Sequence, residues 1–159
     1  MATNPYATLL GSANPAEVMK ETPARLNQLV QSLGPTGLRQ PWSPGKWTGA
    51  QIVCHLADCE VAFAFRIRQA LAEPHHMIQP FDQDAWSRPY QSLDPQLALP
   101  AFSALRAWTV ALIGTVTQDA LEKPVSHPER GQMTFRTILE TIAGHDLNHL
   151  HQLESLAKR

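Results

Sequence analysis

The chain has 159 residues, of which 43% are hydrophobic and 17% are charged, and its formal net charge is −1. This length suits a single domain over residues 1–159, and the near-neutral charge excludes the basic surface typical of nucleic-acid-binding proteins. No 18-residue apolar run and no signal sequence is found, so neither a membrane span nor export is expected. Cys54 and Cys59 would lie on different sides of a helix and not pair. We therefore expect a cytoplasmic protein with reduced thiols and small-molecule partners.

The first two predicted helices are marked by capping signals. Helix one begins at Asn14-Pro15, an N-cap followed by proline, and ends at Gly34-Pro35. The next segment has too many prolines and glycines for regular structure, and we expect Trp42 and Trp47 to anchor it on the neighbouring helices. Helix two then runs from Thr48 to about Leu71.

The third and fourth helices follow a long connection. Helix three begins at another cap-plus-proline pair, Asp94-Pro95, and continues through the apolar positions Leu97, Phe102, Leu105, Trp108 and Leu112. Helix four begins at Thr134 and reaches the C-terminus. The connection over residues 72–93 is longer than a usual loop between bundle helices, so it can cross the bundle and let helices two and three run parallel. The prediction is an all-α four-helix bundle in up-down-down-up order, since almost nothing alternates like a strand.

Three histidines face the interior of this predicted bundle. His145 and His149 are separated by about 40° around a helix axis and about 6 Å along it, so both can bind one ion. Their stripe includes Ile138 and Ile142. His55 belongs to a similar apolar stripe on helix two. Imidazole is a common ligand for zinc and nickel, so the three side chains together are typical of a metal site with open positions.

A purely structural role in the core is the alternative to a metal site for these histidines. One inward histidine is usually a hydrogen-bonded core residue, and a single H-x-x-x-H spacing is weak evidence. Three buried imidazoles without partners would each lose about 1 to 3 kcal/mol in desolvation, however, and one shared ion would remove that cost. The energetic argument favours a divalent metal ion.

Several segments together carry a family resemblance. They are Trp47-x-x-x-x-Ile-Val-x-His-Leu-Ala-Asp-x-Glu60, Arg66 with Leu71-Ala-Glu-Pro74, Ile78-x-Pro-Phe-Asp-x-Asp-x-Trp86, His127-Pro-Glu-x-Gly131 and His145-x-x-x-His149. In order and spacing they resemble the DinB/YfiT-like superfamily of metal-dependent hydrolases and transferases, over residues 15–157. The resemblance implies a four-helix bundle, a divalent ion on His55, His145 and His149, and a homodimer. Many relatives have more histidines, where this chain has Asn148 and Gln152.

The resemblance also implies the activity. Members of the superfamily are associated with transfer to low-molecular-weight thiols, so the leading hypothesis is a metal-dependent thiol S-transferase that uses zinc or nickel. A metal-dependent hydrolase is the second hypothesis. The third is a non-catalytic metal-binding domain of the stress response, in which the ion only joins the helices. A structural ion is fully coordinated by protein, whereas a catalytic ion keeps an open position.

Candidate catalytic residues are Asp58, Arg66 and Asp84. Asp58 and Arg66, like Glu60, could orient an imidazole or bind a substrate carboxylate, or could form ordinary salt bridges. Cys59, one turn beyond His55, could be a thiolate ligand, although a small buried hydrophobic residue is the simpler interpretation.

The remaining polar candidates lie in the last helix and in the crossover. Asp146 is expected to face solvent or to pair with a loop. The resemblance places Asp82, Asp84 and Trp86 near the mouth of the site, as a lid anchor or as substrate contacts. Apolar side chains of the crossover must pack as a lid or in a dimer: Met77, Ile78, Phe81, Trp86 and Tyr90. The other four histidines are expected to be peripheral: His75, His76, His127 and His151.

Overall fold

Four long helices form the body of the protein in the computed structural model, which describes residues 4–159. In chain order the elements are α1 (Ala7–Leu10), α2 (Pro15–Leu38), α3 (Gly49–Ala72), α4 (Gln83–Ser87), a 3₁₀ turn (Arg88–Gln91), α5 (Pro95–Ile113), α6 (Gln118–Leu121), β1 (Pro124–His127), β2 (Gly131–Thr134) and α7 (Phe135–Ala157). The bundle consists of α2, α3, α5 and α7.

Each bundle helix begins at the residue that the sequence predicts. The side chains of Asn14, Thr48, Asp94 and Thr134 all accept hydrogen bonds from backbone amides of the first turn. The end of α2 differs from expectation. Gly34 has φ 58°, which kinks the chain, but one more turn follows as far as Leu38.

The bundle has the predicted up-down-down-up order. The first bundle helix, α2, packs mainly against α7 and α5, and α3 packs mainly against the same two helices. As a result α2 and α3 lie diagonally opposite each other. The crossover between α3 and α5 contains α4 and the 3₁₀ turn, and it buries Ile78 and Tyr90, whereas Met77 is 66% exposed.

The hydrophobic core consists of two apolar clusters, one at each end of the bundle. On α7 the first cluster includes Ile138 and Ile142 and the second includes Leu150 and Leu153. His145 and His149 lie between them in the sequence. The polar imidazoles therefore interrupt the core at mid-height, where four helices surround them.

A small hairpin was not predicted. Strands β1 and β2 pair antiparallel, with buried Val125 opposite buried Met133. The hairpin also holds the crossover, because the amide of Ile78 donates to the carbonyl of Ser126 at 2.8 Å and the amide of Ser126 donates to the carbonyl of His76 at 2.9 Å. This contact brings residues after α3 next to residues before α7.

Helix α5 is the most apolar element. The mean hydropathy of an 18-residue stretch of this helix is 1.3, so by length and composition alone the helix is long and apolar enough to cross a membrane. Of this stretch, 22% is buried in the fold. Two of the apolar positions through which the predicted helix runs, Leu97 and Trp108, are 72% and 67% exposed. The helix instead buries Phe102, Arg106, Thr109 and Ile113. A buried arginine at the centre of this face ties α5 to polar partners in the bundle.

Candidate metal centre

The structure brings the three inward histidines together. His55 comes from α3 and His145 and His149 from successive turns of α7, and all three are buried. The Nε2 atoms of His55 and His145 lie 3.0 Å apart. The ring centroid of His149 lies 4.8 Å from that of His55 and 4.5 Å from that of His145. The three imidazoles thus form one cluster, although His55 and His145 are 90 residues apart in the sequence.

The donor atoms fit a divalent cation. Two nitrogens bound to one zinc ion at about 2.0–2.1 Å are separated by roughly 3 Å, which is the spacing of the two Nε2 atoms. Within residues 4–159, the buried Nδ1 of His145 has no hydrogen-bond partner, and the nearest oxygen of Asp146 is 4.0 Å away. Among the residues that the structure describes, the hydrogen-bonding capacity of this cluster is therefore not fully satisfied.

Burial keeps the imidazoles of His55 and His149 neutral. Desolvation, with a smaller contribution from His145, lowers the pKa of His55 from 6.5 to about 3. The pKa of His149 is also well below its ordinary value, because of burial first and of the two neighbouring histidines second. Neutral imidazoles have a free lone pair for a metal ion at neutral pH.

Gln152 fixes the tautomer of His149. The Nδ1 of His149 lies 2.8 Å from Oε1 of Gln152, so the Nδ1–H donates to the amide oxygen. The lone pair is then on Nε2. A hydrogen bond of this kind orients a metal-binding imidazole and raises its basicity. Gln152 therefore supports the orientation of His149.

Cys59 lies beside the cluster. Its Sγ is 3.4 Å from Nε2 of His55, and one ligand atom from each of His55, Cys59 and His145 lies within 4.8 Å of the others. Burial raises the pKa of the Cys59 thiol, so the protein environment by itself favours the protonated form. Both sequence interpretations, a small buried residue and a soft ligand, remain compatible with this position.

Two aromatic residues cover the cluster. Trp47 has its ring centroid 4.7 Å from that of His55 and lies nearly parallel to His149, at 19° and 6.4 Å. Tyr6 meets His145 edge-on at 5.8 Å. Gly144 makes the approach of Tyr6 possible, since a Cβ there would lie 2.4 Å from the Cβ of Tyr6. The sequence predicted Trp47 as a loop anchor but not its contact with the imidazoles.

A buried ion network lies next to the histidines and corrects the expectation for Asp146. This residue is fully buried and accepts hydrogen bonds from Arg106 of α5, which also donates to Oε2 of Glu60 at 2.8 Å. Burial by itself would raise the pKa of Asp146, but the Arg106 guanidinium holds it below the ordinary value. Burial raises the pKa of Glu60, and Arg106 only partly offsets this. Glu60 thus forms a buried salt bridge with Arg106, one of the two roles that its sequence position suggested.

A cavity of about 210 Å³ opens beside the cluster. Its lining includes His145, Cys59 and Tyr6, together with the arginines Arg66 and Arg130. His127 also lines this cavity, so the expectation that it is peripheral was wrong. The β1–β2 hairpin, which the sequence did not predict, places it there.

The three catalytic candidates have different surroundings. Arg66 lines the cavity, whereas Asp58 and Asp84 are not among its lining residues. Asp58 faces a groove between α3 and α5, and Asp84 is exposed in the first turn of α4. Trp86 is 39% exposed and packs on Phe81 with ring centroids 4.6 Å apart.

Four further residues do not line the cavity: Asp82, which the resemblance placed near the mouth of the site, and the predicted peripheral residues His75, His76 and His151. Asp82 caps α4 by accepting from the amide of Ala85 at 3.0 Å. His75 and His151 are exposed, and His76 is buried with its Nδ1 3.1 Å from a carboxylate oxygen of Glu73.

The chain is similar to known proteins in sequence. A family model described as the DinB superfamily matches residues 19–153. The chain is 30% identical over 146 residues to "Putative metal-dependent hydrolase YfiT" of Bacillus subtilis, covering 90% of this chain and 82% of that protein. It is 28% identical over 142 residues to a protein of the same description from Oceanobacillus iheyensis, covering 89% and 83%.

Solved structures are also similar. The YfiT structure from Bacillus subtilis, described as an unusual four-helix bundle topology, matches with a TM-score of 0.84 and 29% identity over 91% of this chain and 85% of that one. A mycothiol-dependent maleylpyruvate isomerase matches with a TM-score of 0.66 and 13% identity, over 87% of this chain and 59% of the isomerase. At that identity the second match shows a common fold only.

Proposed function

The chain belongs to the DinB superfamily, and we propose that it is a metal-dependent enzyme that holds one divalent ion, zinc or nickel, on His55, His145 and His149. The observation that supports this most is the convergence of three buried imidazoles beside an open cavity. A purely structural cluster would have no need of the cavity. The name of the YfiT relatives as metal-dependent hydrolases supports the same assignment.

The proposed reaction is transfer of a low-molecular-weight thiol to an electrophilic small molecule. Such an ion, when bound, lowers the pKa of a thiol or a water molecule toward neutrality. The chain supplies the rest: Gln152 orients His149, Trp47 covers the imidazoles, and the cavity next to His145 and Cys59 admits a small substrate. The fold shared with a mycothiol-dependent isomerase makes a thiol co-substrate reasonable.

Hydrolysis is the second candidate. The observation that favours it is the description of relatives at 28–30% identity as metal-dependent hydrolases. The non-catalytic alternative, a metal-binding stress-response domain, is favoured only by Cys59, since a fourth protein ligand could close the coordination of the ion.

The experiment compares substrates with and without thiol. Metal-loaded protein is given a haloarene or a Michael acceptor, and consumption is followed with and without a small thiol. The transferase proposal expects turnover that requires both metal and thiol and that is lost in His145→Ala but retained in His151→Ala. Turnover of esters or amides without thiol would establish the hydrolase instead. No turnover of the electrophiles or of the esters and amides would favour the non-catalytic metal-binding domain.

We also propose that the protein is a single-domain cytoplasmic homodimer. Apolar side chains on the outer faces of α3 and α5 support this, because Val61, Phe65 and Trp108 are 57%, 59% and 67% exposed. Both cysteines of the chain are free and buried, as expected in a reducing compartment. Light scattering should give twice the mass of the chain for wild type and a lower mass for Phe65→Ser. A monomeric wild type would contradict the dimer.

A further inference from the structure

Cationic side chains meet at the cavity beside the histidines. Arg66 of α3 and Arg130 of the hairpin turn both line it, together with His127 and the carboxylate of Glu129. In the part of the chain from residue 4 onward, neither arginine has a carboxylate oxygen within salt-bridge distance. The cavity therefore has two guanidinium groups and one carboxylate, which gives it a net positive charge.

Arg66 is held in place but keeps free donors. Its guanidinium carbon lies 5.3 Å from the ring centroid of Phe81 and 5.9 Å from that of Phe63, and its Nη2 donates to the carbonyl of Gln79 at 2.8 Å. Among the described residues this is the one hydrogen bond that Arg66 makes. Burial lowers the pKa of Arg66, and the nearby charge of Arg130 lowers it further, yet a guanidinium stays protonated in proteins. A half-buried cation of this kind is stabilised by an anion.

His127 adds a neutral donor. Its Nδ1 accepts a hydrogen bond from the amide of Glu129 at 3.2 Å, so in the neutral ring the proton is on Nε2. Burial lowers the pKa of His127, and the charge of Arg130 acts in the same direction. The neutral ring of His127, which lines the same cavity, therefore has one N–H donor and no negative charge.

The helix geometry relates Arg66 to the metal centre. Arg66 follows His55 by three full turns of α3, so it lies about 20° from it around the axis and about 16 Å along it. Cys59 lies between them on the same face. A small molecule in the cavity can thus have one end near the histidines and the other near the guanidinium.

We propose that Arg66, assisted by Arg130 and His127, forms an anion subsite that binds a carboxylate at the far end of the small-molecule substrate. This inference rests on the proposed function for the reacting end and names the chemical class of that substrate. The carboxylate forms charge-assisted hydrogen bonds with the guanidinium. Glu129, in the same cavity, disfavours substrates with a second negative charge. The carboxylate belongs either to the thiol or to the electrophile.

The test measures binding by calorimetry. A series of ω-mercaptocarboxylates from 3-mercaptopropionate to 8-mercaptooctanoate is titrated into metal-loaded protein beside the matching primary amides, which have nearly the same shape without the charge. A second arm compares 4-chloro-3-nitrobenzoate with its amide, to place the carboxylate on the electrophile. At least one acid in one arm should bind about 10- to 100-fold more tightly than its amide, as expected for a charge-assisted hydrogen bond.

Arg66→Gln should abolish this preference, and Arg68→Gln is the matched control. Arg68 lies on the same helix, donates to the carbonyl of Ala64 at 2.9 Å and does not line the cavity. Equal binding of acids and amides in both arms would overturn the subsite, as would a preference that survives in Arg66→Gln.

The two proposals can fail separately. Metal content is measured on every sample, and the acid and amide titrations are repeated on metal-free protein with hexanoate and hexanamide. Wild-type protein that binds no metal but still prefers hexanoate through Arg66 would remove the proposed function and keep the subsite. Protein that binds one ion without any preference for carboxylates would keep the proposed metal site and remove the anion subsite.

Discussion

Arg106 of α5 donates hydrogen bonds to Asp146, the residue that directly follows His145 in α7. The same guanidinium donates to Glu60, which directly follows Cys59 in α3, and to the carbonyl of Met19 in α2 at 3.2 Å. One buried side chain of α5 therefore contacts the other three bundle helices at the level of the histidines. It fixes the separation of α3 and α7, on which the distance between His55 and His145 depends.

Breaking this network should destabilise the fold strongly. Asp146→Ala leaves the buried Arg106 with one carboxylate, and we expect the free energy of unfolding to fall by about 3–5 kcal/mol, as for other broken buried ion pairs. Urea denaturation measures the change. Glu122→Ala is the control, because its pair with Arg136 is exposed and should change stability by less than about 1 kcal/mol. Similar effects of the two variants would show that the buried network is not stabilising.

Each clustered histidine should be needed for metal binding. We expect wild-type protein to bind about one divalent ion per chain and His55→Ala, His145→Ala and His149→Ala to lose most of it, because a site with three protein ligands has no spare donor. Elemental analysis of dialysed protein gives the stoichiometry. His151→Ala, on the exposed side of the same helix, should keep full occupancy. Full metal content in His145→Ala would refute the site.

Cobalt substitution should show whether Cys59 is a ligand. We expect the cobalt(II) protein to lack a thiolate charge-transfer band and to acquire one when a small thiol is added, since burial disfavours the Cys59 thiolate and an open position is left for substrate. The absorption spectrum of Cys59→Ser should then match wild type, as should that of Cys54→Ser. A band present in wild type and absent only in Cys59→Ser would mean a closed site and favour the non-catalytic domain.

Metal-free protein should lose stability as the pH falls below about 6.5. The pKa of His55 is about 3 in the folded chain and 6.5 when unfolded, so between these values the unfolded chain binds more protons. Each such histidine decreases the free energy of unfolding by up to about 1.4 kcal/mol per pH unit of acidification. His149 acts in the same direction, and Glu60, with its raised pKa, acts in the opposite one.

Comparison of variants isolates the contribution of His55. Urea midpoints of chelator-treated wild type and His55→Gln are measured between about pH 7 and pH 5. The slope against pH should be smaller in His55→Gln, whereas the exposed control His151→Gln should keep the wild-type slope. Parallel curves for all three proteins would contradict burial of a neutral His55.

Local signals in the sequence were sufficient to predict the four bundle helices and their order. Asn14, Thr48, Asp94 and Thr134 were recognisable as caps because a cap depends only on the next few residues. The hairpin was missed because strands of four residues are too short to show an alternating pattern.

The errors at the site have a different cause. Asp146 was placed toward solvent because its partner, Arg106, is 40 residues away on another helix, and helical periodicity contains no information about such pairs. His127 was placed at the periphery for a similar reason, since only the register of the hairpin brings it to the cavity. The clustering of the three histidines could be anticipated because each belongs to the inner stripe of its own helix.

The separation of His55 and His145 by 90 residues bears on how the protein matures. While the chain is being synthesised, α3 emerges with the imidazole of His55 and the thiol of Cys59, and α7 follows every other described element of the fold. Synthesis at about 5–20 residues per second leaves several seconds in which the incomplete donor set could capture an abundant but incorrect cation. The proposed ion can be bound by all three imidazoles only after α7 has docked, so loading with the correct metal is a late event that would report completion of the native bundle.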